Sequence, residues 1–312
     1  MAYQQGDTNS RFNVNNLRTI EGVRSHLKGL LEEARDLPTI KQRRSELTDA
    51  LPMFHFCRDW IEKGYWRERA AVLEETAQLA QVFGFGISPL KKPLMRAIRS
   101  SDNEIRLAGL RAAVSNEQLL ASLDAWVVSY TSELKPREQN EIVLKAVILA
   151  EQSGFSSVHE TAVELIFNAI MYGETDIVAG DRCSRFMVSM PAEKYPYIDR
   201  EVRELLRVFI LDEIKINATP EDTTIILEPL FQLVVWLAGE RKLPDVALNL
   251  SYILDHNESL IRKARRAHVR YNIEPEEDWF LFHSTNYTIR EALRKMGVNR
   301  DTFGGRLSEQ PM

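Results

Sequence analysis

Apolar residues recur along most of this chain at spacings of three and four, the period of an amphipathic helix. Strand-like alternation is confined to two short segments, ETDIVAG at 174–180 and CSRFMVSM at 183–190. From Val14 onward, Leu17, Ile20, Val23, Leu27, Leu30 and Leu31 predict a first helix that Leu37-Pro38 stops. Thr39 then caps a second, with Leu47 and Leu51 expected on its buried face and Pro52 expected to break or kink it. The next stretch crowds Phe54, Phe56, Trp60, Tyr65 and Trp66 together, Gly84 and Gly86 end its helix, and Ser88-Pro89 opens another.

The block 102–172 is the most regular part, reading as four amphipathic helices separated by short polar breaks. Asp102 and Glu104 suit the positive end of the first of them. Ala108, Gly109, Ala112 and Ala113 leave room for a neighbouring helix to approach closely. Lys135-Pro136 precedes the helix 137–152, Gly154 is expected to end it, and Ser156 or Ser157 to cap 158–171. NEIRLAGLRAAV and HETAVELIFNAI resemble HEAT-like helical repeats, although no fixed repeat period runs through the chain. That resemblance implies helices stacked in pairs.

Residues 173–197, marked by Pro191 and Pro196, form the least regular internal stretch and are expected to be a linker at a domain boundary. Beyond it, 198–216 is helical in pattern, Thr219-Pro220-Glu221-Asp222 signals a start for a helix over 221–239, and VALNLSYIL follows Pro244. The division predicted is a disordered tail at 1–13, a helical domain at 14–190 and a second at 198–312. The fold class expected is all-α, as irregular stacked helical pairs in either a HEAT-like α-solenoid or a multi-helix bundle.

Composition changes this picture little. The net charge of −5 over 312 residues gives no bulk attraction to nucleic acid or to anionic membranes, so any such contact needs a local basic face. Cys57 and Cys183 are the only cysteines, far apart and in no metal-ligand spacing, which points to a reducing, cytoplasmic setting. The N-terminal residues lack the apolar core of a signal peptide. The longest apolar run, 225–239, is interrupted by Glu228, Pro229 and Gln232 and is too short for a membrane span, so no membrane association is expected.

Few residues suggest chemistry. HETAVE begins with His159-Glu160 but has Val163 where a zinc-peptidase helix needs its second histidine. His55 and Cys57, two apart on a helix, point to different sides. No phosphate-cradling loop, nucleophile elbow or paired-cysteine motif is present. No catalytic, metal or cofactor site is therefore assigned, and no cofactor is expected. The aromatic set Phe54, Phe56, Trp60, Tyr65 and Trp66 reads either as core or as the lining of a partner or ligand pocket.

Two basic segments are candidates for DNA. Arg262, Arg266 and Arg270 share one helical face, although 258–278 is neutral as a whole. The C-terminal segment 284–309 reads as helix, tight turn at Gly297, then second helix, with Ile289, Leu293, Met296, Val298, Phe303 and Leu307 at the apolar positions. It resembles the DNA-binding unit of the factor-for-inversion-stimulation type, in which a Gly-apolar-Asn-Arg turn leads into the recognition helix. That resemblance implies that Asn299, Arg300, Thr302 and Arg306 face DNA. Leu293, four residues before Gly297, is larger than the residue the pattern uses there, and Gly304-Gly305 falls inside the second helix.

The functional expectation is a non-enzymatic helical interaction or scaffold protein with a protein partner, which includes a second copy of itself. The alternatives are a DNA-binding regulatory protein using the C-terminal segment, and a small-molecule binder or enzyme using the aromatic cluster at 53–66.

Overall fold

A computed structural model describes residues 17, 19–63, 66–123, 128–172, 181–216, 229–255 and 278–298. All regular structure among them is helical, with helices packed in pairs. The chain divides into two compact units, Met1–Glu174 and Thr175–Met312.

The first unit begins with α1 (Ile20–Arg35), α2 (Ile40–Glu46), α3 (Ala50–Lys63), α4 (Trp66–Phe83), α5 (Ser88–Ile98) and α6 (Asn103–Ala113). A single helical turn, α7 (Glu117–Leu120), and a 3-10 turn at Ser129–Glu133 lie where the second of the four helices of the 102–172 block was expected. The long pair α8 (Pro136–Gln152) and α9 (Ser156–Tyr172) completes the unit. Helix α4 lies at its centre, packed against α1, α3 and α6, while α5 packs on α6 and α8 on α9.

Side-chain oxygens hold the helix starts, satisfying backbone N–H groups that have no partner in the helix itself. Thr19, Thr39 and Asp102 cap α1, α2 and α6 in this way. Asn116 caps α7 through the backbone N–H groups of Gln118 and Leu119 at 3.0 and 3.1 Å, and its buried amide donates to the Ala77 carbonyl of α4 at 3.3 Å. The small-residue stripe on α6 permits close packing: a β-carbon at Gly109 would stand 2.9 Å from the Ile98 backbone nitrogen of α5. An ion-pair network adds to these contacts on the partly exposed side. Glu141 of α8 accepts from Nε and Nη2 of Arg111 at 2.8 and 2.6 Å, and Lys145 bridges Glu141 to Glu74 of α4.

Two expectations in this unit are corrected. Pro52 does not interrupt a helix. It sits in the first turn of α3, where its missing N–H costs nothing, and the break falls earlier, at 47–49. Restarting at Ala50 resets the helical phase. Ala50, Met53, Phe54, Cys57 and Ile61 form the buried stripe, leaving Leu51, expected in the core, 47% exposed. Gly154 follows α8 without the left-handed backbone of a glycine cap; that conformation occurs at Gly84 and Gly297.

The second unit contains α10 (Asp181–Ser189), α11 (Pro196–Ile216), α12 (Pro229–Glu240), α13 (residues 247–255) and α14 (Asp278–Lys295). Helix α10 occupies residues expected to form a linker or a strand. Cys183, Phe186, Met187 and Met190 are buried at helical spacing. Arg241, just past α12, donates from Nη1 to the Met187 and Met190 carbonyls at 2.9 Å each, and from Nε to the carboxylate of Asp199 on α11. One buried guanidinium thus ties the end of α10 to α11 and α12. Residues 278–283 are continuous with the helix that ends at Lys295. No helix among the described residues is long and apolar enough to cross a membrane.

Candidate functional site

The cleft with most chemical character in the first unit lies between α2, α3 and the turn joining α4 to α5. Adjacent residues Arg43 and Arg44 decide its geometry. Helix α2 buries none of its residues, so apolar packing does little to hold it. Instead its arginines reach the carbonyls at the C-terminal end of α4. Arg43 donates to the Val82 carbonyl at 3.0 Å and from Nε to the Leu37 carbonyl at 2.7 Å. Arg44 donates from Nε to Phe83 at 2.7 Å and from Nη2 to Gly84 at 2.6 Å. Cations suit this end of a helix, where the last carbonyls lack intrahelical partners and carry the negative end of the dipole.

The turn itself needs glycine. Gly84 has φ +64°, in the left-handed region, and a β-carbon there would meet Arg44 Nη2 at 3.3 Å and Ile40 Cδ1 at 3.4 Å. Past it the chain returns Phe85 to the interior, stacked on Phe83 and 5.2 Å from the Phe54 ring, centroid to centroid. The Arg44 guanidinium carbon lies 5.4 Å from the Phe85 ring centre.

These contacts leave a cavity of about 430 Å³. Leu47, Leu51, Phe54, Phe85 and Pro89 give it an apolar lining, with Arg44, His55 and Arg58 as its charged or titratable groups and no carboxylate. Arg58 is neutralised nearby by Asp59, whose Oδ1 it meets at 2.7 Å. That contact holds the Asp59 carboxyl below its usual range. His55 Nδ1 is shielded from solvent without a hydrogen-bond partner. A second cleft of about 570 Å³ lies against the same helix and includes Lys28, Glu32, Arg35, Arg43 and Gln78.

The aromatic set predicted from sequence is only partly gathered here. Phe54 lines the cleft, whereas Phe56 and Trp60 stack on each other with ring centres 6.2 Å apart and do not line it. Trp66 begins α4, and Tyr65 lies outside the described residues. All seven DNA candidates, Arg262, Arg266, Arg270, Asn299, Arg300, Thr302 and Arg306, also lie outside them. The described structure ends just after the Gly297 turn, at φ +73°.

No family model matches the chain, and neither does any curated protein or solved structure. The site must therefore be read from its own residues.

Sequence reasoning passed over Arg44, Arg58, Phe83 and Phe85. A signal for them was present: two adjacent arginines in a short helix with no apolar stripe, and a FGFG turn pairing glycines with large rings. Elsewhere, His159 Nδ1 is 2.8 Å from the Phe155 carbonyl of the preceding turn, while Glu160 and Glu164 are exposed. No group of three or more histidine, cysteine, aspartate or glutamate side chains is gathered in metal-binding geometry among the described residues.

Proposed function

We propose that this chain is a non-enzymatic helical interaction protein, and that its first unit receives a polypeptide segment of a partner in the α2–α3 cleft. The supporting observation is Leu51, a large apolar side chain 47% exposed at the mouth of a cleft with an aromatic floor. Ile40, 45% exposed, carries the apolar surface past Gly84 and beyond the concavity. A surface that runs out of its pocket suits the successive side chains of a peptide better than one compact small molecule. The test is selection of short peptides on the intact protein from a random display library, repeated on Leu51→Asp. Binders lost in the variant support the reading. Binders indifferent to Leu51, or a heat-stability shift given only by small metabolites, would count against it.

A second reading is DNA binding through Asn299, Arg300, Thr302 and Arg306. It is favoured by the left-handed turn at Gly297, which falls where the sequence resemblance puts it. A duplex titration at low and moderate salt tests it, because phosphate contacts weaken steeply with salt. Loss of binding in Arg300→Ala with Arg306→Ala supports that site, and unchanged binding excludes it.

A further inference from the structure

We infer that the segment received by the α2–α3 cleft is acidic as well as apolar, with an aspartate or glutamate that meets Arg44. This rests on the docking role proposed above and adds the chemistry of the partner.

The chain as a whole is at −5, yet the groups lining this cleft are two arginines and a histidine, with no carboxylate among them. Asp59 offsets Arg58. Arg44 has no such counter-ion among the described residues, since its hydrogen bonds go to the Phe83 and Gly84 carbonyls. The end of α4 contributes roughly half a negative charge against the full positive charge of the guanidinium. The cleft is therefore left with net positive potential. Lys91 and Lys92, shortly after Pro89 on α5, are exposed and of the same sign.

The contacts of Arg44 hold it in place before a ligand arrives. A guanidinium has five N–H groups. The two carbonyl contacts use one on Nε and one on Nη2, which leaves three for a ligand. The same contacts, with the Phe85 ring 5.4 Å away, fix the orientation of the group before anything binds. A cation already ordered loses little side-chain freedom on pairing with a carboxylate, and arginine pairs with carboxylates in a directional, two-pronged way.

Arg44 and Ile40 converge on the same glycine, with Arg44 Nη2 at 3.3 Å and Ile40 Cδ1 at 3.4 Å from the position a Gly84 β-carbon would take. An acceptor at Arg44 therefore lies beside exposed apolar surface. The complementary ligand carries a carboxylate and an apolar side chain close together, as neighbouring residues of a peptide do.

The experiment uses the intact protein and a random display library of twelve-residue peptides, with selected peptides made singly and titrated against wild type and Leu51→Asp. Substitutions are then made in the peptide, so folding of Arg44 variants does not enter. The expected result is that Leu51-dependent peptides carry Asp or Glu next to an apolar residue. Changing that acid to its amide should weaken binding about tenfold or more, and raised salt should shrink the difference. Leu51-dependent peptides that tolerate the amide change would overturn the acidic requirement and leave the docking role intact. If no peptide depends on Leu51, the docking role falls, and this inference falls with it.

Discussion

Gly239 of α12 lies so close to Ala292 of α14 that a β-carbon at 239 would stand 2.6 Å from the Ala292 α-carbon. The two helices can meet there only because one side chain is missing. Gly239→Ala would gain about 1 kcal/mol of helix propensity. It would also force two backbones apart, and overpacking costs about 1–3 kcal/mol. Because the nearest atom belongs to the backbone, the upper part of that range applies, giving a net loss of about 1–2 kcal/mol in urea unfolding. Gly29, in α1, has nothing within 4 Å of its β-carbon position. Gly29→Ala should therefore stabilise, by about 0.5–1 kcal/mol. The same substitution is expected to change sign between the two sites.

Arg241 and Asp199 make a different prediction about the second unit. Both side chains are largely buried, and the arginine also satisfies the Met187 and Met190 carbonyls. Removing one partner of a buried ion pair costs about 3–5 kcal/mol, because it strands the other charge. Asp199→Asn keeps the carbonyl contacts and a polar neighbour, so its cost should fall near 3 kcal/mol or below. Arg241→Met strands a carboxylate and two carbonyls together, and should cost more. Equal losses in the two variants, measured by denaturant unfolding, would show that the carbonyl contacts contribute nothing.

What could be read in the sequence follows the range of the interactions responsible. The caps at Thr39 and Asp102 act over two or three residues, and each was visible as a polar residue where a helical stretch begins, whereas Thr19 was read through as part of a helix running from Val14. The all-helical class followed from spacing alone. Leu51 was misplaced because a three-residue break resets helical phase, and the sequence there reads equally well as one helix kinked at Pro52. Helix α10 was missed for a longer-range reason. Its end is held by Arg241, more than fifty residues away, and nothing within 181–190 announces that partner. The cleft was half legible. Its floor residue Phe54 stood out in an aromatic cluster, but Arg44 acquires its role only when α2 meets the end of α4.

Glu141 should make stability depend on acid. Hydrogen bonds from Arg111, with a further contribution from Lys145, lower its pKa from about 4.5 to about 2. A carboxyl with a depressed folded-state pKa stabilises the fold fully above its unfolded value, and that stabilisation is lost as pH falls through the folded value. The window is therefore pH 4.5 down to 2. The group is partly exposed, so solvent screening reduces its contribution to about 1 kcal/mol. At pH 7, Glu141→Gln should be less stable than wild type by that amount, and the gap should close as pH falls across the window. A gap independent of pH would mean that the variant lost packing, not charge.

The two cysteines give the last prediction, and it concerns access more than stability. Cys57 lies on the buried stripe of α3, and burial pushes its thiol up to about 12, against a usual value near 9, with a smaller opposing effect from the Thr76 hydroxyl. Only the thiolate reacts with disulfide reagents, so at pH 8 the reactive fraction would be far below one in a hundred even if the reagent could reach it. Cys183, on α10, is buried as well. The native protein should therefore give essentially no fast thiol titration at pH 8, and both thiols should react in denaturant. Slow labelling of the native state would then report opening of the fold, and the rate at each cysteine would belong to its own unit. The unit strained by Gly239→Ala is the one containing Cys183, so that variant should speed labelling at Cys183 and leave Cys57 unchanged. Equal acceleration at both would show that the two units open together.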